Sequence, residues 1–197
     1  MAGEYESVEL VGDRTVQYFA VAVVVAALTG AFAQVAVPYP LSPAPFTLQT
    51  MGVYLAGLLL GPLWGGLALL LYVLVGAAGA PVFANFGAGF GIIAGPTGGF
   101  LLSFPLAAAV IGAITHRQVT PKRLDTVSIP LQVFALLAGL VVIYAGGSLW
   151  LAFVTDQTLL TSVIQNGVVF IPGDILKAAV VMSLVTGGYL TQAYIGE

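Results

Sequence analysis

Charged residues are scarce in this chain of 197 residues: Asp, Glu, Lys and Arg together make up 7% of it, and hydrophobic residues make up 59%. A water-soluble domain usually carries about 25% charged residues, so a soluble globular protein is excluded. The mean hydropathy of +1.06 indicates an integral membrane protein. Many of the few charges are acidic residues before Arg14, and we expect residues 1–15 to form a solvated cytoplasmic tail.

Residues that support covalent and metal chemistry are also missing. The chain has no cysteine and a single histidine, His116, which argues against disulfides, thiolate chemistry and a histidine-based metal or nucleophile site. No G-x-x-x-x-G-K-[ST] phosphate loop occurs, so we do not expect ATP hydrolysis by this chain. Asp174 has no second carboxylate beside it for acid–base work. We therefore predict no enzyme activity, no catalytic residue, no metal, no cofactor and no nucleic-acid partner.

Proline and glycine divide the apolar sequence into six predicted membrane-spanning helices. A break at Gly61-Pro62 is favoured, because one helix from Phe46 to Ala78 would be about 50 Å long against a bilayer core of about 30 Å. The prediction is one all-α membrane domain, 1–197, with a six-helix bundle over 16–193, whose first helix is retained. The predicted helices cover residues 16–37, 46–60, 62–79, 97–115, 127–146 and 172–193.

Six helices place both termini on one side of the membrane, together with the turn at Gly61 and the loop from His116 to Thr126. That loop contains three of the five basic residues, and short basic loops stay in the cytoplasm. We therefore expect cytoplasmic termini in a multi-pass protein of the cell membrane. Three connections, one rich in proline and one rich in glycine, are then expected outside. They are residues 38–45, 80–96 and 147–171.

Two opposite charges, Asp174 and Lys177, lie about one helical turn apart in an apolar run near the C-terminus. Ionisable residues at membrane depth are costly and usually face a partner, a cavity or a ligand. In one interpretation Pro172 begins the helix, Asp174 caps it, and Lys177 pairs with it or reaches the surface, without any ligand. In the other, which we favour, the pair offers acceptors and donors to a polar, roughly neutral small molecule at the outer face.

Further candidate residues lie near the same face. Asn85 is the only side-chain amide of the glycine-rich segment, and it either contacts a ligand or bonds its own backbone in a turn. Gln49 either contacts a ligand or forms an interhelical hydrogen bond. Phe86 either encloses a ligand or lies at the membrane interface. Thr47 belongs to the same stretch as Gln49 and is a further candidate.

Small residues recur at four-residue spacing in the first predicted helix. Ala22, Ala26 and Gly30 form one such strip, with Ala27 and Ala31 alongside. A strip of this kind allows another helix to approach closely. Internal packing and docking to a different membrane subunit both explain it.

Five motifs in order closely resemble the BioY family, the biotin-specific substrate-binding (S) components of energy-coupling factor (ECF) transporters. The resemblance runs from about residue 16 to residue 190 and implies a six-helix S-component fold with an outward site closed by long loops. It also implies that Asn85, Asp174 and Lys177 contact the ureido group of biotin. At Phe100 the chain departs from the tyrosine of many relatives. The motifs are PFTLQT at 45–50, LAGLLLGP at 55–62, GAPVF at 79–83, GPTGGF at 95–100 and PGDILK at 172–177.

The resemblance also implies partners, because family members work with a transmembrane T component and two cytoplasmic ATPase subunits. Ala22, Ala26 and Gly30 are similar to the A-x-x-x-A signature by which S components dock to the T component, with glycine at the last position. The expected function is high-affinity biotin binding for uptake by an ECF-type ABC transporter. The alternatives are an autonomous small channel or proton-coupled carrier that uses the Asp174/Lys177 pair, and a structural membrane subunit without ligand.

Overall fold

The computed structural model describes residues 13–40 and 42–188, so most of the predicted acidic tail lies outside the described residues. A short antiparallel pairing of β1, Ala36–Val37, with β2, Phe46–Thr47, is added to the expected helices. The two strands therefore form a hairpin, and the proline-rich connection lies between them. The helices are α1 Asp13–Gln34, α2 Gln49–Ala77, α3 Phe90–Ala94, α4 Gly98–His116, α5 Ile129–Thr155, α6 Leu159–Val163 and α7 Ile171–Thr186.

Four of these helices, α1, α2, α4 and α5, are long and apolar enough to cross a membrane. A fifth candidate is a pair bent by 40°, in which Leu159–Val168, including the π-helical turn Ile164–Val168, precedes Ile171–Thr186. Large apolar side chains are exposed on the outside of the bundle, for example Phe153 at 82%. Such a surface is stable in lipid, and the protein is a multi-pass membrane protein.

The chain reverses direction inside α2, at Gly61. Gly61 has φ 70° and ψ −171°, a conformation that only glycine adopts readily, and Pro62 has no N–H for the next helical bond. The side chains of Gln49 and Tyr72 approach to 2.7 Å, whereas a straight helix would separate these residues by about 35 Å. The predicted break at Gly61-Pro62 is confirmed, and residues 49–60 and 62–77 are two antiparallel halves.

His116 joins this turn to the basic loop. In a continuous helix the carbonyl of Leu58 would accept a hydrogen bond from the N–H of residue 62, but residue 62 is proline and has no N–H. His116 Nε2 lies 2.9 Å from that carbonyl oxygen instead. His116 Nδ1 accepts from the backbone N–H of Lys122 at 3.0 Å. The ring therefore carries its proton on Nε2, and the Gly61 turn lies at the same end of the bundle as the basic loop.

The predicted end of the fifth helix at residue 146 is wrong, because α5 continues to Thr155. Gly146 and Gly147 resemble a helix break, but they are the points where α4 approaches. A Cβ at Gly146 would collide with Ser103, and one at Gly147 would collide with the ring of Phe100. Residues 147–155 are thus helical rather than part of an outer connection.

Other boundaries shift less. The second helix begins at Gln49 instead of residue 46, because residues 46–47 pair as a strand. The glycine-rich connection contains the short helix α3. Helix α7 begins at Ile171 and ends at Thr186, and the end predicted at residue 193 lies outside the described residues. Helix α2 packs against α1 and α4, and α4 packs against α5.

Candidate ligand-binding site

A cavity of about 240 Å³ lies at the end of the bundle away from the Gly61 turn. It is bordered by the three connections predicted to lie outside or by residues next to them, for example Pro45, Asn85 and Phe170. This volume lies just below the range of about 300–1,000 Å³ that is usual for sites of drug-sized ligands, so the cavity suits a small molecule. Most of its lining is apolar, and five of its polar residues lie in or next to the starts of α2 and α7.

The buried ion pair of Asp174 and Lys177 forms this polar end. Lys177 Nζ lies 2.5 Å from Asp174 Oδ1, and the two side chains are only 6% and 3% exposed for lysine and aspartate respectively. Lys177 also donates to the carbonyl oxygen of Thr47 at 2.6 Å and to Thr50 Oγ1 at 3.0 Å. Its ammonium lies 4.0 Å from the centre of the Phe46 ring, a cation–π distance. All three protons of the ammonium therefore have acceptors.

The carboxylate of Asp174 connects three helices. Thr50 Oγ1 of α2 donates to Asp174 Oδ1 at 2.7 Å, and the hydroxyl of Tyr144 in α5 donates to Asp174 Oδ2. The backbone N–H of Asp174 already bonds to Phe170 within the helix, at 3.0 Å. Because α7 begins one residue earlier than predicted, Asp174 is the fourth helical residue and does not cap the helix. The predicted capping is therefore wrong, whereas the pairing of Lys177 with Asp174 that the same interpretation offered is present.

Asn85 lies at the rim of the cavity, in a tight turn closed by a bond of 3.1 Å from the N–H of Gly87 to the carbonyl of Ala84. It has φ 55°, a left-handed conformation that asparagine tolerates better than most residues. Its exposed side chain forms no hydrogen bond to any described residue. The amide is therefore free for a ligand and does not bond its own backbone.

Gln49 and Thr47 also line the cavity, and their side chains already have partners. Gln49 Nε2 donates to the hydroxyl of Tyr72 at 2.7 Å, and Gln49 Oε1 accepts from Thr47 Oγ1 at 2.8 Å. The interhelical hydrogen bond proposed for Gln49 is thus present between the two halves of α2. Gln49 keeps one N–H directed to no other described residue.

Phe86 does not line the cavity, contrary to the idea that it encloses a ligand. It has φ 58° and is 70% exposed. The left-handed turn at Asn85 and Phe86 leaves only the first of these residues on the cavity side. The aromatic part of the lining comes from Tyr144 and five other phenylalanines. These phenylalanines are Phe46, Phe83, Phe100, Phe104 and Phe170.

The strip of Ala22, Ala26 and Gly30 does not form an accessible surface. Ala22 and Ala26 are only 3% and 7% exposed and belong to the core, and a Cβ at Gly30 would lie 3.3 Å from that of Val82. The docking prediction for these residues is corrected, because they pack inside this chain. The exposed small residues of α1 include Ala27 and Ala31.

Three residues that the sequence did not single out belong to the site or support it. Thr50 bonds both members of the ion pair, and Tyr144 bonds Asp174 and packs edge-on against Phe100 at 6.4 Å between ring centres. Gln34 bonds the turn that contains Asn85. A tyrosine within the apolar run of α5 was the one available signal for Tyr144. Thr50 gave only its place in the motif at 45–50, and Gln34 gave none, because their partners are distant in sequence.

Comparison with known proteins agrees with these features. The model of the BioY family matches residues 6–193. The probable biotin transporter BioY of Pyrococcus horikoshii is 40% identical over 155 residues, 78% of this chain and 84% of the relative. The biotin transporter BioY of Thermotoga maritima is 40% identical over 142 residues, 72% of this chain and 78% of the relative.

A solved structure is similar over nearly the whole chain. It is the crystal structure of the S-component for biotin from an ECF-type ABC transporter, with a TM-score of 0.80 and 27% identity, and the match covers 89% of this chain and 92% of that one. These similar proteins are transporters or transporter components and not enzymes. Sequence and fold therefore agree that this chain belongs to the BioY family.

Proposed function

We propose that this protein is the biotin-binding S component of an ECF-type ABC transporter and mediates biotin uptake. The observation that carries the proposal is the buried pair of Asp174 and Lys177 at the end of a mostly apolar cavity, in a chain of the BioY family. Asn85 adds a free amide at the rim of the same cavity. Such a site holds a small molecule that has one polar end and one apolar body.

Biotin has this chemistry. Its ureido ring offers two N–H donors and one carbonyl acceptor, so Asp174 accepts from the ring, Lys177 donates to it and Asn85 does either. Because the three protons of Lys177 Nζ already have acceptors, the ligand carbonyl replaces one of them. The bond to Thr50 Oγ1 is the longest of the three, at 3.0 Å, and is the one we expect to be exchanged.

The apolar part of the cavity suits the rest of the ligand. Phe100, Phe104 and Ile143 line it and offer a surface for the sulfur-containing ring and the acyl chain of biotin. Burial of that apolar surface stabilises the complex by about 25 cal/mol per Å². Tyr144 supplies a hydroxyl beside Phe100, where the chain lacks the tyrosine expected from the family resemblance.

We infer six membrane passes in the cell membrane, formed by α1, the two halves of α2, α4, α5 and α7. The contact of the Gly61 turn with the basic loop, through His116, supports a cytoplasmic location for both. The cavity at the opposite end then opens to the outside. The termini lie in the cytoplasm in this arrangement.

The partners in this proposal are a T component and two cytoplasmic ATPase subunits, against which the loaded subunit reorients. Docking through α1 then uses the exposed Ala27 and Ala31, which have the four-residue spacing of an A-x-x-x-A strip and leave the outer surface of the helix narrow. Ala22 and Ala26, being buried, keep α1 close to α2.

Binding of labelled biotin to the purified protein tests the proposal. We expect one-to-one binding by the wild type, and a loss of at least about tenfold in affinity in Asn85→Gly, because a ligand group is left without its partner. Glycine accepts the left-handed conformation without strain, and the matched control accounts for the backbone freedom that glycine adds. Asp156→Gly is the matched control, because Asp156 is also an exposed polar residue with positive φ, at 53°, but does not line the cavity.

Three outcomes decide between the hypotheses. A wild type that binds no biotin refutes the proposal. Equal losses in Asn85→Gly and Asp156→Gly refute the role of Asn85. Biotin uptake by cells that contain this chain without T and ATPase subunits favours the autonomous carrier instead.

A further inference from the structure

The turn that presents Asn85 is held in an unfavourable backbone conformation. Asn85 and Phe86 follow each other with φ 55° and 58°, a left-handed pair that non-glycine residues seldom adopt. Phe86 is 70% exposed, so burial of its ring does not compensate for this conformation. Contacts from elsewhere in the protein must therefore keep the turn in place.

Gln34, the last residue of α1, supplies such contacts on both sides of Asn85. Its Nε2 donates to the carbonyl oxygen of Phe83 at 3.1 Å, and to that of Gly30 in its own helix at 2.9 Å. Its Oε1 accepts from the backbone N–H of Phe86 at 2.9 Å. One half-buried side-chain amide thus bonds the backbone before and after the residue that faces the cavity.

The base of the same segment is anchored separately. The hydroxyl of Tyr72 donates to the carbonyl of Val82 at 3.0 Å, and the N–H of Gly89 donates to the carbonyl of Gly76 at 2.8 Å. These bonds do not involve Gln34. Loss of the Gln34 amide should therefore release the turn without detaching the whole segment.

We propose that Gln34 is a positioning residue for ligand binding, which acts by holding the turn that directs the Asn85 amide to the cavity. The inference rests on the proposed function only in its choice of biotin as the ligand. Since the Asn85 side chain forms no hydrogen bond to the described residues, its position depends on its backbone. Gln34 provides the side-chain hydrogen bonds that flank this backbone.

A double-mutant cycle with labelled biotin tests this role. Gln34→Met keeps the length of the side chain and removes both of its hydrogen bonds to the turn, and we expect it to weaken biotin binding by about tenfold. Combined with Asn85→Gly, it should cause no further loss, because the amide that it positions is already absent. Losses that add in the double variant, or an unchanged affinity in Gln34→Met, overturn the proposal.

A second measurement does not depend on biotin. Backbone deuterium uptake over residues 84–88 of the ligand-free protein should rise in Gln34→Met. Gln132→Met is the matched control, because Gln132 is a buried glutamine that likewise donates to two loop carbonyls, of Leu124 at 3.0 Å and of Val127 at 2.9 Å, away from the cavity. It should leave uptake over 84–88 and biotin affinity unchanged.

The two measurements separate the hypotheses. If the wild type binds no biotin but Gln34→Met raises deuterium exchange over residues 84–88, the proposed ligand is wrong, but the role of Gln34 in holding the turn is supported. If exchange is unchanged in Gln34→Met, the positioning role is wrong whatever the ligand.

Discussion

Neutralising one member of the buried pair of Asp174 and Lys177 should destabilise the protein far more than neutralising both. The ammonium and the carboxylate are 2.5 Å apart and their side chains are nearly inaccessible. Asp174→Asn leaves the Lys177 charge beside the neutral oxygens of Thr47 and Thr50. Breaking a buried pair in this way costs about 3–5 kcal/mol, which lowers the folding equilibrium constant more than a hundredfold.

The double variant Asp174→Asn/Lys177→Met leaves no buried charge at this site. Uncharged replacements of a buried pair are often neutral for stability, and the asparagine still has an oxygen that accepts from Thr50. We expect the double variant to recover most of the stability that each single variant loses. It should still bind no biotin, because the acceptor and donor that hold the ureido ring are both changed.

Thermal unfolding in detergent, followed by the fluorescence of the two tryptophans, measures the stabilities, and labelled biotin measures binding. Asp125→Asn is the control, because it breaks an exposed ion pair of 2.7 Å between Asp125 and Arg123. The side chain of Arg123 is 73% exposed and that of Asp125 is 61% exposed, so this variant should not shift the unfolding midpoint measurably. Single variants no less stable than this control refute the argument from burial. A double variant that binds biotin as the wild type does refutes the ligand role of the pair.

Other predictions concern the framework around the site. Ala26→Phe overpacks the core and should cost about 1–3 kcal/mol in unfolding free energy. Ala27→Phe should leave the unfolding midpoint unchanged and reduce co-purification with the T component. Equal effects of the two variants on the unfolding midpoint would contradict the buried and exposed faces assigned to α1. His116→Ala should cost about 1–3 kcal/mol, because a helix carbonyl loses its donor, with biotin affinity unchanged. Gly61→Ala should destabilise the protein by about 1–3 kcal/mol because Gly61 has a positive φ. Gly66→Ala, within the following helical half, should stabilise it by up to about 1 kcal/mol. A change in unfolding free energy of the same sign for both variants would contradict the reversal at this turn.

Features that depend on neighbouring residues were predictable from the sequence. The turn at Gly61 follows from a proline that has no N–H and a glycine that accepts positive φ, and both effects are local. The costly pair of Asp174 and Lys177 stands out because its surroundings are apolar. The end of α5 was not predictable, because Gly146 and Gly147 are small to admit α4, and a sequence does not distinguish a packing glycine from a helix break.

The buried face of α1 could not be predicted from the sequence, for a different reason. In a membrane protein the residues that face lipid and those that face the core are both apolar, so hydrophobic periodicity does not reveal which strip is inside. The position of α2 decides that Ala22 and Ala26 are buried and that Ala27 and Ala31 are exposed. Likewise, the sequence leaves open whether Phe86 encloses a ligand, and only the turn places Phe86 away from the cavity and Asn85 at its rim.

The sequence by itself determined the membrane class, the family and the two charges of the site, because composition, motif order and the cost of burying charge can be judged from residue types alone. The tertiary structure decided how those charges are held. Tyr144, Thr50 and Asp174 come from three different helices, and Gln34 reaches the Asn85 turn from a fourth. Hydrogen bonds between segments so far apart in the chain depend on how the helices pack, which no local pattern specifies.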